Sequence, residues 1–424
     1  MSNTVPMLTH LEEVDAFLGF LDIGAALDDM DERAGIAQHY MTYYEGDQAT
    51  VYLSDTIAKI RRRKKTDRIN MVKLIADAVV ERTRIESFGE ADWIDALDER
   101  LNLVRLSKNC HTNSEVQGTA YGLMWPRTNN GPQADILILT PGEMICGYET
   151  SSQWPVWAIR RFVDGSNIQI WAMSMHGWTS IISDNDGRDW AIYDEYTKWP
   201  TDFVQTDSPP VVEFGPEPGR LVSGIKSILG PQQRIDRLTD TDASLVELAS
   251  APSTYILISD NQEGIEKGET PKVGPGVIQQ LEAESITQLS PAPHDGTVDR
   301  LEQAMHTALT LGKIPLSVMI GAGGNMSGEA ITRDSASLLV RCQERIHTFS
   351  ISWKRLLTYA ALWTNKSPDD IVINWCDPNL TTEMDRFDLA ARQQSAGVTR
   401  ERALLNAGVA AEDIQEQATT NTEE

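Results

Sequence analysis

The spacing of apolar residues along this chain shifts between helical and strand-like periods, and the shifts divide it into segments. Val72, Ile75, Ala76, Val79 and Val80 fall at i, i+3, i+4, i+7 and i+8, one stripe of a helix that opens near Asn70. Trp93, Leu97, Leu101 and Val104 form a second stripe, so residues 1–130 are expected to be mostly helical. From about 135 to 215 the period falls to two. Residues 157–163 and 168–173 flank Asp164-Gly165, a strong hairpin signal. Residues 178–182, a turn at Asn185-Asp186-Gly187 and residues 190–193 extend this into an antiparallel meander. The run Pro209-Pro210-Val211-Val212-Glu213-Phe214-Gly215-Pro216 is expected to close it, because two prolines and then Gly-Pro end regular structure.

The helical period then returns. Ile228, Ile235, Leu238, Leu245 and Ala249 share one face, which Asp242 interrupts, while Asp236, Asp240 and Glu247 lie off it; Ala251-Pro252 ends the helix. Tyr255-Ile256-Leu257-Ile258 reads as a short strand. Gly264, Gly268, Pro271, Gly274, Pro275 and Gly276 then mark a small irregular module, and residues 286–289 a returning strand. A second helix is expected to start with Thr297 as N-cap, aided by Asp299 and Glu302, and to turn Val298, Leu301, Met305 and Ala308 one way. The run Gly321-Ala322-Gly323-Gly324-Asn325-Met326-Ser327-Gly328 separates it from the longest helix. There Leu338, Leu339, Cys342, Ile346, Phe349, Trp353, Leu356, Leu357 and Ala360 keep helical spacing as far as Ser367-Pro368. Beyond lie Trp375-Cys376-Asp377-Pro378, a later helix pair and an acidic tail over 412–424, expected to fray.

A chain of 424 residues exceeds one ordinary core and fits two or three domains. No stretch approaches the ~18 apolar residues of a membrane span, and residues 1–10 lack the pattern of an export signal. The cysteines Cys110, Cys146, Cys342 and Cys376 lie far apart, which points to a reducing compartment and away from disulfides or zinc. The net charge of -25, from 37 basic and 62 acidic residues, leaves no global basic surface for gripping phosphates. It reads first as general solubility; any nucleic acid here would slide rather than stick. The basic run Arg61-Arg62-Arg63-Lys64-Lys65 has no aromatic residue interleaved and reads as a solvated helix end or loop. Trp154, Trp157, Trp171, Trp178, Trp190 and Trp199 read as packing residues rather than a ligand platform.

Catalytic patterns fail one by one. Gly323 to Gly328 has the G-x-x-x-x-G spacing of a P-loop, but Glu329-Ala330 stands where Lys and Ser/Thr are required. Ser327 has no nucleophile-elbow context. The histidines His10, His39, His111, His176, His294, His306 and His347 form no metal-binding pair, and the neighbours Cys110-His111 are expected to point apart. Asp184-Asn185-Asp186-Gly187 is out of register for a calcium loop, with Ile182 and Tyr193 at its first and twelfth positions. No cofactor, metal or catalytic residue is expected, and the chain reads as a non-enzyme.

The order of helix, Gly/Pro-rich module, returning helix, glycine run and long helix resembles the portal proteins of tailed bacteriophages. Short stretches are similar to that family as well: Tyr43-Tyr44-Glu45-Gly46-Asp47; Asn70 with its apolar helix; Trp93; Gly118-Thr119-Ala120-Tyr121. So are Pro210-Val211-Val212-Glu213-Phe214, Ile235-Asp236, Ser327-Gly328-Glu329-Ala330 and the crowded helix from Phe349 to Leu357. Two features depart from the family: Asp207-Ser208 and Gly215 stand where it usually has Gly before and Asn after the valine segment, and the C-terminal part is short.

The resemblance implies an α+β portal-type subunit. Residues 1–223 would be the wing, 224–250 a stem helix with Ile235, Asp236, Asp240 and Leu245, and 251–294 a small α/β clip with Tyr255, Ile256, Leu257 and Ile258. Residues 295–320 would be the second stem helix with Val298, Leu301 and Met305. Residues 321–328 would be a channel-lining tunnel loop (Gly321, Gly323, Gly324, Asn325, Met326, Ser327, Gly328), 329–365 the long wing helix and 366–424 the helical crown with its tail. It implies a dodecameric homo-oligomer ring at one capsid vertex of the virion, assembled in the host cytoplasm, passing double-stranded DNA without sequence specificity during packaging and ejection. Its implied partners are the terminase large subunit, a head–tail adaptor, and the major capsid and scaffolding proteins; no membrane and no cofactor are implied. Two other classes stay open on the residues alone: a different oligomeric head or connector assembly protein without a DNA channel, and an enzyme whose acid pair escapes motif reading.

Overall fold

The structure, a computed structural model, describes residues 23–49, 68–89, 91–127, 133–150, 152–164, 167–175, 177–183, 190–199, 208–250, 254–257, 285–288, 295–315 and 328–378, with the single residues 399 and 402. Helix α1 (Ile23–Glu45) runs up to the turn at Gly46, and α2 (Met71–Arg82) begins where the apolar stripe places it. Asn70 joins the two. Its Oδ1 accepts from the Lys73 amide at 2.9 Å, and its Nδ2 donates to the carbonyls of Tyr43 at 3.2 Å and Tyr44 at 2.9 Å. One side chain thus satisfies orphan groups at the end of one helix and the start of the next.

After strand β1 (Ile85–Ser87), the stripe from Trp93 to Val104 proves to be two helices, α3 (Asp92–Leu101) and α4 (Leu103–Gln117). Asn102 between them sits at φ 54 and accepts from the Arg105 amide, while Asp98 Oδ1 accepts from the Leu103 amide at 2.6 Å. Local side-chain caps here outcompete a continued helix, and asparagine tolerates the left-handed turn. The expectation of a mostly helical region up to 130 also fails at its end. Gly118, at φ 97, stops α4, and residues 120–127 become strand β2 (Ala120–Arg127).

Strand β2 is the middle of a three-stranded antiparallel sheet, between β3 (Gln133–Leu139) and β9 (Val211–Phe214). The proline-rich run therefore does not terminate structure, as the sequence suggested. Residues 211–214 are all buried and pair with 120–123, and Pro210 accepts from the Met124 amide at 2.9 Å. Proline lacks a donor but keeps its carbonyl, so it can lead into a strand whose first bond is an acceptor. The strands expected over 157–193 do form a meander, but the expected range divides: residues 133–139 join β2 instead, and 144–147 add a strand that spacing did not show. Strands β4 (Met144–Gly147), β5 (Trp157–Asp164), β6 (Asn167–Ser174), β7 (Gly177–Ser183) and β8 (Trp190–Lys198) form one antiparallel sheet in chain order, with Asp164 opposite Asn167. Trp125 stacks on Trp171 at 4.0 Å, with Trp178 and Trp199 against its edges, so these tryptophans pack between the two sheets.

The second half of the chain carries α5 (Leu229–Ser250), the antiparallel pair β10 (Thr254–Leu257) and β11 (Ser285–Gln288), α6 (Asp295–Gly312) and α7 (Gly328–Trp363). Thr297 is not the N-cap of α6 but lies in its first turn, since the helix already begins at Asp295. The inward face of α6 is Ala304, Ala308 and Leu309, with Leu301 and Met305 half-buried, while Val298 is 37% exposed. Helix α7 is the spine of the molecule, about 54 Å long at ~1.5 Å per residue. Leu338 and Cys342 pack in one core with α2, α6 and the start of α5. Phe349, Trp353, Leu356, Leu357, Ala360 and Ala361 pack in another with β2, β9 and α4. A third, smaller core seats Ile23, Ala26 and Met30 of α1 on Ile145, Ile159, Ile170 and Ile181 of the five-stranded sheet. Past α7 the chain returns: Ile371 is buried in the α7–β2 core, and β12 (Asn374–Trp375) pairs with β1. The basic run 61–65, the turn 185–187, Ile258 and the glycines after it, residues 321–327, the helix pair after 378 and the acidic tail lie outside the described residues.

Candidate functional site

The feature that needs explaining is a pair of helices, α5 and α6, that lie side by side with a two-stranded element beyond them. Their roots meet the rest of the chain at one place, and that place is built from buried polar side chains. Helix α4 ends there. Its last carbonyls have no helical partner, and the segment before α5 supplies donors for them. The Gly224 amide donates to Glu115 O at 2.9 Å, Ser223 Oγ to Val116 O at 2.6 Å, and the Val222 amide to Gly118 O at 3.4 Å. A Cβ on Gly118 would lie 2.9 Å from the Ser223 and Val222 nitrogens, so the strap fits only against glycine.

The Glu115 side chain is almost fully buried and faces two arginines of α7. Arg341 Nη2 bonds its Oε1, and Arg345 Nε its Oε2 at 2.9 Å. Arg341 also donates to the carbonyl of Gly224 at 3.0 Å and, through Nη1, to that of Gly312 at 2.6 Å. One guanidinium therefore touches α4, the entry to α5 and the last residue of α6. Five donors in a planar fork make arginine suited to this. A buried carboxylate of this kind holds only while its partners stay.

A second anchor lies one turn into α5. Gln232 is fully buried; its Oε1 accepts from the Met71 amide at 2.9 Å, a first-turn donor of α2, and its Nε2 donates to Ile69 O and to Asp236 Oδ1, each at 2.8 Å. Asp236 Oδ2 in turn accepts from Gln48 Nε2 at 2.8 Å. Asp236, read from sequence as a stem acid, is thus turned towards the α1–α2 connection. Gln232→Ala is expected to cost about 2–3 kcal/mol, because it strands buried backbone groups. Gln232→Glu should cost at least as much, since it loses the donor and sets a carboxylate beside Asp236. Urea titrations followed by tryptophan fluorescence will read both.

The remaining sequence-derived positions fall as follows. Ile235 is buried at the α5 root, Asp240 and Leu245 are half-buried further along, and Leu301 and Met305 pack half-buried against the same core as Ile235. Tyr255, Ile256 and Leu257 form β10, opposite Thr287, Ile286 and Ser285. Gly328 opens α7; Gly321, Gly323, Gly324, Asn325, Met326 and Ser327 lie outside the described residues. Gln232, Glu115, Arg341, Arg345 and Gly224 were missed. The signal was present: Gln232 lies on the same helical face as Ile228 and Ile235, and Arg341 and Arg345 flank the apolar positions 338, 342 and 349. Polar residues set into a buried stripe are either errors of reading or anchors.

Two other stretches of the resemblance meet at the three-stranded sheet. Thr119 Oγ1 donates to Glu213 Oε1 at 2.9 Å, the Gly219 amide to Oε2 at 2.7 Å, and Tyr148 OH to the same oxygen. Burial pushes the Glu213 carboxyl above its ordinary range, against the pull of these donors. Burial likewise raises the thiols of Cys110 and Cys146, and that of Cys342 to about 11, which keeps them protonated and unreactive at neutral pH. Cys110 and His111 are both buried. Among the described residues no group of three His, Cys, Asp or Glu side chains is placed to hold a metal ion, and no helix is long and apolar enough to cross a membrane.

No family model matches the chain, and no curated protein does. Solved structures do show similarity. One is a chain from the virion of a native gene transfer agent particle, at 14% identity over 80% of this chain and 89% of that one, with a TM-score of 0.44. A second is from the neck of an empty gene transfer agent particle computed with C6 symmetry, at 14% identity, 85% and 95% coverage and a TM-score of 0.44. A third is from the neck of the native particle computed with C12 symmetry, at 14% identity, 80% and 89% coverage and a TM-score of 0.41.

Proposed function

We propose that this chain is a portal subunit of a phage-like particle. Copies of it form a ring, dodecameric as the sequence resemblance implies, at one capsid vertex. DNA passes through the ring during packaging and ejection, and the ring does no chemistry of its own. The observation that carries this reading is the α5–α6 pair: two long helices packed along each other, rooted together in the wing by Gln232 and Arg341, with a small strand pair at their other end. A protruding stem of this design is what a ring needs to form a channel longer than its own rim. The strand pair would then be the face offered to the terminase motor and later to the head–tail adaptor.

The charge of the chain supports the same reading. A net charge of -25, repeated around a ring axis, favours a wall from which DNA phosphates are repelled and along which they slide. Counterion-releasing grip is unnecessary for sequence-blind passage. Gly321–Gly328 would form the narrow part of that wall.

Negative-stain electron microscopy of the purified full-length protein tests the proposal. The expected class averages are end-on rings with a central hole and side views with a stalk. A compact monomer at high concentration overturns the reading. Closed rings without a stalk overturn it in favour of a head or connector assembly protein that lacks a DNA channel.

A further inference from the structure

We propose that Arg341 is a latch that holds both roots of the α5–α6 pair to the wing through one side chain, so that the pair is fastened or released as a unit. The inference stands on the geometry of the buried cluster and takes only its significance from the portal reading.

Three elements distant in sequence converge on this guanidinium. Gly312 O is the last carbonyl of α6, one of the helix-end acceptors without a partner in its own helix. The next residue, Lys313, leaves the helix at φ 57, so the carbonyl stays open to an outside donor. Arg341 supplies it at 2.6 Å, and a cation at a helix C-terminus is favoured by the dipole. Gly224 O, at 3.0 Å, belongs to the strap that leads into α5. Glu115, on α4, holds the guanidinium in this position. Arg345 shares Glu115 but reaches neither root, so the two arginines of one cluster have separable roles.

The latch also sits on the helix that opens at Gly328, immediately after the glycine run. Arg341 lies thirteen residues into α7, about 20 Å at ~1.5 Å per residue. A shift of the first turns of α7 along its axis would pull the guanidinium away from both carbonyls together. Movement of the start of α7 and loosening of the α5–α6 pair would therefore be linked through this side chain.

Hydrogen–deuterium exchange of the full-length protein, compared among Arg341→Met, Arg341→Lys and Arg345→Met, tests this. Arg341→Met should speed exchange at both roots, residues 225–236 and 305–314, together and by roughly tenfold or more, as expected for loss of charge-assisted bonds to buried carbonyls. Arg341→Lys, which keeps the charge and is the milder change should the methionine variant fail to fold, should also loosen at least one root because an ammonium cannot span both carbonyls. Arg345→Met removes an equal charge and should leave both roots near wild type. Residues 120–127 and 353–361 should be unchanged in all three. The proposal is overturned if Arg345→Met loosens the roots as much as Arg341→Met, if the loosening spreads equally to the two control segments, or if the roots do not respond. Electron microscopy of the same samples separates this from the ring: a wild type that forms no rings defeats the portal reading but leaves the exchange result standing.

Discussion

Gly224→Ala is expected to destabilise the protein by about 3–5 kcal/mol. A Cβ at this position would lie 1.8 Å from Glu115 Oε1, 2.4 Å from its Cδ and 2.7 Å from Arg341 Nη2. The added carbon cannot be accommodated by a rotamer change, because all three atoms belong to the buried ion cluster and the Gly224 backbone is itself fixed to Glu115 O and Arg341. Either the strap lifts off α4 or the carboxylate is displaced from its arginines. Overpacking alone costs ~1–3 kcal/mol, and separating a buried charge from its partner ~3–5 kcal/mol. Gly230→Ala is the matched control. Gly230 lies in the first turn of α5 with nothing within 4 Å of its Cβ position, so alanine there should be neutral or stabilise by up to about 1 kcal/mol. Urea midpoints of the two variants, measured together, check the contrast. Equal midpoints would mean that the strap is not held as described.

Acidification is expected to unfold the core between α4, β2 and α7 through His111. This imidazole is buried between Phe349, stacked at 4.2 Å, and Trp375 at 5.6 Å, and its Nε2 accepts from Trp353 Nε1 at 3.0 Å. With Nε2 an acceptor, the neutral ring carries its proton on Nδ1. Burial lowers its pKa from 6.5 to about 3. The unfolded chain therefore binds this proton at a pH where the folded chain does not. Stability is fully present above pH 6.5, is lost as pH falls below it, and the loss levels off near pH 3. The slope is about 1.4 kcal/mol per pH unit, roughly 5 kcal/mol across the whole window. His111→Phe should lower stability at pH 7 by about 1–3 kcal/mol, since the buried Trp353 indole loses its acceptor. Its pH dependence between 6.5 and 4 should be shallower than wild type by one proton. Urea titrations across that range read the difference, and parallel slopes would refute the assignment.

The parts of the fold legible in the sequence were those where one period dominates. The α2 stripe with its Asn70 cap, four strands of the meander and the apolar face of α7 were read from spacing alone, because each buries one face against a neighbour. The losses came where a local cap or a distant partner decided the outcome. Asn102 breaks a stripe that spacing alone would continue, since its side chain and that of Asp98 offer the next amides a better acceptor. Strands β2 and β9 are buried on both faces and show no alternation, and the prolines before β9 masked a strand whose partner lies some ninety residues earlier. The partners of the α5–α6 anchors were hidden for the same reason, although Gln232, Arg341 and Arg345 stood out as polar residues beside an apolar stripe. Glu115 and Arg341 are separated by more than two hundred residues, and only the fold makes them a pair.

The way α7 completes the sheet core also bears on how the chain is made. Strands β2 and β3 are synthesised early, yet Phe349, Trp353, Leu356 and Leu357, which pack in the same core, come more than two hundred residues later. At ~5–20 residues per second of translation, that apolar surface stays uncovered for on the order of tens of seconds. Such a nascent chain is a natural client for chaperones, and truncations that end before residue 349 should be insoluble however well their secondary structure forms.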